Sequence, residues 1–276
     1  MLEMTKISER RACLLVGLSR TVLHYQPKAQ PENEALQARM VELAAERRRF
    51  GYRRIQALLR REGFAVNHKR IFRLYQQAGL AVRRKRKRKG VAVEREELAL
   101  PRQANEVWSM DFVSDALSNG RRIKVLAIVD DFTKESVDLV AGHGISGQQV
   151  VRILERAAMF RGLPKAIRTD QGPEFTGKAL DQWAYQNGVS LKLIEAGKPT
   201  QNAYIESFNG RFRDECLNDH WFTSLAEART WIAAWRRDYN ENRPHSALDY
   251  LTPAEFAARC RKSLIESGDM QETETY

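Results

Sequence analysis

The chain has 276 residues, 43% of them hydrophobic, with 46 Lys/Arg against 35 Asp/Glu for a net charge of +11. That length and apolar content suit one or two domains with a real core and exclude a disordered chain. The longest aliphatic run, Val125-Leu126-Ala127-Ile128-Val129, falls far below the roughly 20 apolar residues of a membrane span, and the positive balance favours polyanionic partners. The charge is also segregated. Residues 1–103 hold 25 Lys/Arg and 10 Asp/Glu, whereas residues 104–276 hold 21 and 25, so a polyanion-gripping part precedes a near-neutral part suited to chemistry.

The first segment, Ile7 to Tyr25, reads as a helix, a tight turn at Gly17 and a second helix capped by Ser19, the grammar of a helix-turn-helix. A second copy follows: a helix over Tyr52–Arg61 with Ile55, Leu58 and Leu59 at helical spacing, and a turn at Gly63. Asn67 then caps a helix that holds Ile71, Leu74 and Tyr75. Arg53, Arg54, His68, Lys69, Arg70 and Arg73 are expected on its outer faces, and Arg53, Arg54, Lys69 and Arg70 are the DNA-binding candidates. Seven consecutive basic residues follow: Arg83, Arg84, Lys85, Arg86, Lys87, Arg88 and Lys89. Such a block repels itself and cannot pack, so it is expected to be an arm whose side chains release counterions from DNA phosphates.

From residue 104 the texture changes. Trp108–Val113, Ile123–Asp130 and Glu135–Val140 read as three consecutive antiparallel strands, with turns at Asn119-Gly120 and near Thr133. Helical spacing over 148–160, a strand at 166–169, a helix at 179–186, a strand at 189–193 and helices at 204–217 and 225–239 complete the pattern. This predicts an α/β class: a mixed sheet flanked by helices on both faces, preceded by an all-α region. The expected organisation is a helical DNA-binding region over 1–80 and a basic linker over 81–103. A catalytic core with a helical extension follows over 104–260, then a flexible tail over 261–276.

Three acids are candidates for chemistry: Asp111 in the first strand, Asp170 at the end of a short strand before Gly172-Pro173, and Glu206 near a helix start, with 35 residues between it and Asp170. Carboxylates inside apolar elements are costly unless they pair, hydrogen-bond or hold a cation, and carboxylates from separate elements suit hard divalent ions against a phosphodiester. Asn202, Glu206, Asn209, Gly210 and Arg213 share one face of one helix, which makes Asn202, Asn209 and Arg213 candidate DNA contacts beside that acid. Taken alone, Asp170 reads as a turn cap, and Asp115, Asp130, Asp131 and Glu174 remain rival acids. Gly172 to Lys178 matches the glycine and lysine spacing of a phosphate-binding loop, but Ala179 stands where a magnesium-binding hydroxyl is needed, so an ATPase reading is rejected. The three cysteines are far apart, the histidines show no metal-binding pair and the N-terminus lacks an unbroken apolar stretch. A reducing cytoplasm is therefore the expected setting.

Three blocks carry a family resemblance: Trp108-Ser109-Met110-Asp111-Phe112, Thr169 to Phe175, and Asn202 to Gly210. In this order and spacing, with Arg213 seven residues after Glu206, they resemble the catalytic blocks of DDE transposases and integrases. The match is to the second-reading-frame (OrfB) transposases of the IS-three family of bacterial insertion sequences. Tyr239 to Leu248, with Thr252-Pro253 after it, is also similar to that family. The resemblance implies a ribonuclease-H-like core in which Asp111, Asp170 and Glu206 bind two Mg²⁺ ions, with Mn²⁺ as an alternative. It implies cleavage at insertion-sequence ends and strand transfer into target DNA, that is, transposition by DNA recombination and integration. It also implies a nucleoid-associated bacterial protein that works as a homo-oligomer on DNA with the upstream-frame OrfA product, or fused to it. A noncatalytic DNA-binding regulator of transposition is the alternative, against which the intact set of acids argues.

Overall fold

A computed structural model describes residues 7–25, 31–82, 100–194 and 202–266. The expected basic arm, Arg83 to Lys89, lies outside the described residues. Helices α1 (Glu9–Leu15) and α2 (Arg20–Leu23) form the first hairpin, where Gly17 takes a φ of 66° at the turn and the Ser19 hydroxyl accepts from Val22 N. Helices α3 (Pro31–Glu46), α4 (Tyr52–Arg61) and α5 (His68–Gln77) form a second helical unit. Its core joins Leu36, Met40 and Leu43 of α3 to Ile55, Leu59, Ile71, Leu74 and Tyr75. The sequence reading assigned α4 and α5 and passed over α3, although Leu36, Met40 and Leu43 stand at the i, i+4, i+7 spacing of an apolar helix face. Asn67 Oδ1 accepts from Lys69 N at 3.0 Å, which caps α5 where its sequence places the start.

The core is a five-stranded sheet of order β3-β2-β1-β4-β5. Strands β1 (Val107–Ala116), β2 (Arg122–Asp130) and β3 (Ser136–Gly142) form an antiparallel meander, while β4 (Ala166–Thr169) and β5 (Ser190–Leu193) add in parallel to β1. The parallel strands require crossovers, supplied by α6 (Gly147–Arg161) and α7 (Lys178–Gln186). Side-chain alternation divides the sheet into two dry faces. Trp108, Met110, Leu126, Ile128 and Ile167 pack against Val150 and Leu154 of α6 and Leu180 and Trp183 of α7. Val113, Val125, Ala127 and Leu139 pack on the other face against α8 (Ala203–Glu215) and α9 (Leu225–Glu241). Ile205, Phe208 and Phe212 of α8 are fully buried there, and each contributes about 1.5–3 kcal/mol to holding that helix on the sheet. Helix α10 (Pro253–Glu266) runs past residue 261, where the flexible tail was expected to begin.

The helical unit is fastened to the core. Arg47 grips the Asp238 carboxylate through both terminal nitrogens, and Arg61 reaches Glu255 at 2.6 Å and the Tyr250 carbonyl at 3.2 Å. No described helix is long and apolar enough to cross a membrane.

Candidate active site

Asp111 shares strand parity with Val113 and therefore faces α8. Asn209, one turn beyond Glu206, donates to Asp111 Oδ2 at 2.7 Å, and Phe112 N donates to Oδ1 at 2.7 Å. Asp170 follows β4, the strand that pairs with β1, and its Oδ1 accepts from Gly172 N at 3.0 Å. Glu206 lies in the first turn of α8 with an exposed side chain, and Asp170 is exposed too. Partial burial pushes the Asp111 carboxyl above the usual range, and the negative charges of Asp170 and Glu206 push it the same way; the Phe112 and Asn209 hydrogen bonds oppose them. The carboxylates at the end of β4 and the start of α8 thus both act on the Asp111 carboxylate of β1. Among the described residues, no three Asp, Glu, His or Cys side chains stand in place to hold a metal ion.

The loop after Asp170 is braced from below. Phe175 stacks on Phe112 at 4.9 Å between centroids, Lys124 Nζ sits 3.9 Å from the Phe112 ring centre, and Lys124 forms an ion pair with Glu174. A Cβ on Gly172 would stand 3.1 Å from Asp170 Oδ1, so this glycine leaves room for the carboxylate. Under the site, Arg168 on β4 donates to Asp131 Oδ2 at 2.7 Å with both side chains buried. Burial pushes Asp131 up to about 6 despite that partner. Sequence reasoning missed these braces. Their signals were Lys124 and Arg168, single cations inside the otherwise apolar runs Ile123–Val125 and Ala166–Thr169.

Each rival acid has a structural occupation. Asp130 is wholly buried and accepts from Asn105 N, Phe132 N and Thr133 N, locking the β2–β3 turn. Asp131 belongs to Arg168, Glu174 to Lys124, and Asp115 accepts from Ala116 N at 2.9 Å.

The expected DNA contacts divide. Arg53 and Lys69 are exposed on the helical unit, and Arg213 is exposed beside the site with Nη1 3.3 Å from the Ser114 carbonyl. Asn202 is buried at the N-cap of α8, and Asn209 binds Asp111, because α8 lies so close to β1 that its polar stripe meets the strand. Arg70 is half-exposed, and its Nε donates to Asn33 Oδ1 at 2.7 Å, which ties α5 to α3. Arg54 is half-buried against the Phe50 ring, 5.4 Å from its centre, on the side facing the core.

A sheet with three antiparallel and two parallel strands, crossover helices, and acids carried by β1, the end of β4 and the first turn of α8 has the architecture of integrase-type cores. Integrase core domain models match residues 101–199 and 187–253, and an HTH-like domain model matches residues 31–88. The chain is 72% identical, over 98% of either sequence, to an uncharacterized 31.7 kDa protein of insertion element IS407 from Burkholderia multivorans. It is 60% identical, over 95% of this chain and 75% of the other, to an uncharacterized 39.2 kDa protein of insertion element IS476 from Xanthomonas euvesicatoria. It is 28% identical, over 85% and 98%, to the transposase for insertion sequence element IS904 of Lactococcus lactis. In fold it is similar to a chain of the simian T-cell lymphotropic virus intasome in complex with PP2A regulatory subunit B56 gamma. The TM-score is 0.54 at 12% identity over 79% of this chain and 74% of the other. The chain belongs to the IS-three family of insertion-sequence transposases, enzymes of the DDE polynucleotidyl-transferase class that act on DNA.

Proposed function

We propose that Asp111, Asp170 and Glu206 are the catalytic acids of a transposase that cuts insertion-sequence ends and joins them to target DNA. The observation that carries this reading is the placement of Asp111 on β1 beside Asp170 at the end of β4 and Glu206 in the first turn of α8, near enough that, after burial, their charges raise the Asp111 carboxyl. The donor set is all oxygen and anionic, which fits hard divalent cations. Mg²⁺ or Mn²⁺ bound between the acids would supply charge neutralisation at the phosphodiester and a lowered pKa for the attacking hydroxyl. In the first step water attacks the end phosphodiester and a 3′-oxygen leaves; in the second that 3′-hydroxyl attacks a target phosphodiester, again expelling a 3′-oxygen, with no covalent link to the protein.

The chain's own residues position the reaction. Asn209 fixes the Asp111 carboxylate, the Phe112–Phe175 stack and the Lys124–Glu174 pair fix the Asp170 loop, and Arg213 lies on the same face to meet backbone phosphate. The helical unit, with Arg53 and Lys69 exposed, engages the element ends. A homo-oligomer on DNA and the upstream-frame OrfA product are the partners this reading expects, in a bacterial nucleoid setting. Labelled DNA bearing the element's ends, incubated with the protein and Mg²⁺, tests it beside Asp170→Asn and Glu206→Gln. Nicking or joining falls by at least about a thousandfold in both variants while DNA binding stays within threefold. Equal activity in the variants would sink the assignment, and wild-type binding without cleavage would point to a noncatalytic regulator.

A further inference from the structure

The motif from Tyr239 to Leu248 has no part in the acid cluster, yet it holds one of the most buried charges among the described residues. Arg243 is 1% exposed, and its Nε and Nη2 donate to Glu215 at 2.7 and 2.5 Å. Its guanidinium carbon lies 5.5 Å from the centre of the Tyr239 ring and 5.6 Å from that of Phe50, which comes from the helical unit. Arg54, from α4, approaches the same Phe50 ring at 5.4 Å. Arg211, from α8, hydrogen-bonds to the Ser207 carbonyl and hydroxyl one turn back and, among the described residues, to no carboxylate.

The charges at this seam do not balance. Glu215 faces three guanidinium groups, and both of its oxygens are committed to Arg243. Arg47 and Asp238 nearby cancel each other. His245 adds no charge, because burial and the three arginines push it down to about 3. Burial and the neighbouring Arg243 and Arg211 push Arg54 down to about 10, which still leaves it charged at neutral pH. Arg54 Nε and Arg243 Nη1 are buried with no hydrogen-bond partner. Two surplus positive charges and two idle donors in a partly desolvated seam are unfavourable unless an anion completes them.

We propose that Arg54 and Arg211, with the buried charge of Arg243 behind them, form a binding site for a DNA-backbone phosphate at the seam between the helical unit and the core. Guanidinium forks match phosphate oxygens bidentately, and the seam offers donors from both units at once. Arg211 follows Glu206 by five residues on α8, roughly 7.5 Å along the helix axis and about 140° around it, so the site lies on the adjoining face of the helix that carries Glu206. The site rests on the DNA-processing function proposed above and adds a third point of grip between the helical unit and the acids.

The test is anisotropy of a labelled duplex bearing the element's end, titrated with the full chain across a salt series, for wild type, Arg54→Gln, Arg211→Gln and Arg54→Lys. Each glutamine variant loses about one phosphate contact, so its log–log salt slope flattens by about 0.9, and Arg54→Lys keeps most of the slope. The DNA-free Arg54→Gln protein melts no lower than wild type, because a repelled charge has gone. Slopes equal to wild type in both glutamine variants overturn the site, as does a lowered melting point with an unchanged slope, which would make Arg54 a packing residue. Inorganic phosphate in place of chloride at equal ionic strength separates the sources: stabilisation of wild type but not Arg54→Gln, with unchanged DNA slopes, means free phosphate and refutes the DNA assignment. A wild-type chain that binds no DNA fails the DNA-binding reading itself, whereas one that binds with unaltered variant slopes fails only the seam.

Discussion

Glu215→Gln removes the single carboxylate from a nest of three arginines, and its cost follows from the geometry. Arg243 is 1% exposed and donates to both Glu215 oxygens, so breaking the pair leaves a charge that water cannot reach. Removing one partner of a buried ion pair costs about 3–5 kcal/mol. Glutamine keeps one acceptor oxygen for one of the two donors, which recovers about 1 kcal/mol and leaves an expected loss of about 2–4 kcal/mol. All five tryptophans (108, 183, 221, 231 and 235) belong to the core, so tryptophan fluorescence in a urea titration follows core unfolding without contribution from the helical unit. The double variant Glu215→Leu with Arg243→Met removes both charges and recovers most of the loss, since apolar replacement of a buried pair is often neutral. Glu215 ends α8, the helix that carries Glu206 in its first turn, so cleavage activity falls along with stability in the single variant. A single-variant loss below about 1 kcal/mol, or a double variant as unstable as the single, would refute the argument that this pair anchors α8.

Two further outcomes follow from the same packing. Gly172→Ala places a Cβ 3.1 Å from Asp170 Oδ1 and 3.4 Å from Glu174 Oε2. The carboxylate must shift by a few tenths of an ångström, so cleavage slows about tenfold while DNA affinity and the urea midpoint stay near wild type; unchanged turnover would show that Asp170 tolerates displacement. His245 is neutral in the fold, its pKa pushed from 6.5 down to about 3, so the unfolded chain takes up the proton first. Its contribution is therefore complete above pH 6.5 and is lost as pH falls toward 3, by at most about 1.4 kcal/mol per pH unit and up to about 4–5 kcal/mol in all. Urea midpoints of wild type and His245→Gln between pH 7 and 4.5 check this, and parallel pH slopes for the two would exclude it.

Much of the fold was legible because its signals are local. Tyr52–Arg61 and Ala166–Thr169 appear at their expected bounds, and the other core elements lie within a few residues of theirs, because periodicity, caps and turn glycines act within one or two turns of chain. Helix α3 was legible too, in Leu36, Met40 and Leu43 and in the start signal of Pro31 followed by Glu32 and Glu34. The acids at 111, 170 and 206 could be nominated from residue type and spacing, yet the sequence left Asp130 and Asp131 as rivals. Burial gives both rivals other partners: Phe132 and Thr133 reach Asp130 within its own turn, whereas Asn105 and Arg168 lie beside Asp130 and Asp131 only once the sheet forms.

What the sequence determined by itself is therefore the order of elements, the segregation of basic charge and the three acids in their family spacing. The tertiary structure decided what each polar side chain is used for. Asn209, read as a DNA contact, binds Asp111 because α8 packs directly on β1, and Arg54, read as an outer-face residue, enters the seam beside Arg243. The reason is one of range: helix and strand propensities depend on neighbours within a few residues, whereas the partner of a charge is set by which surfaces meet across 98 residues for Asn209 and Asp111.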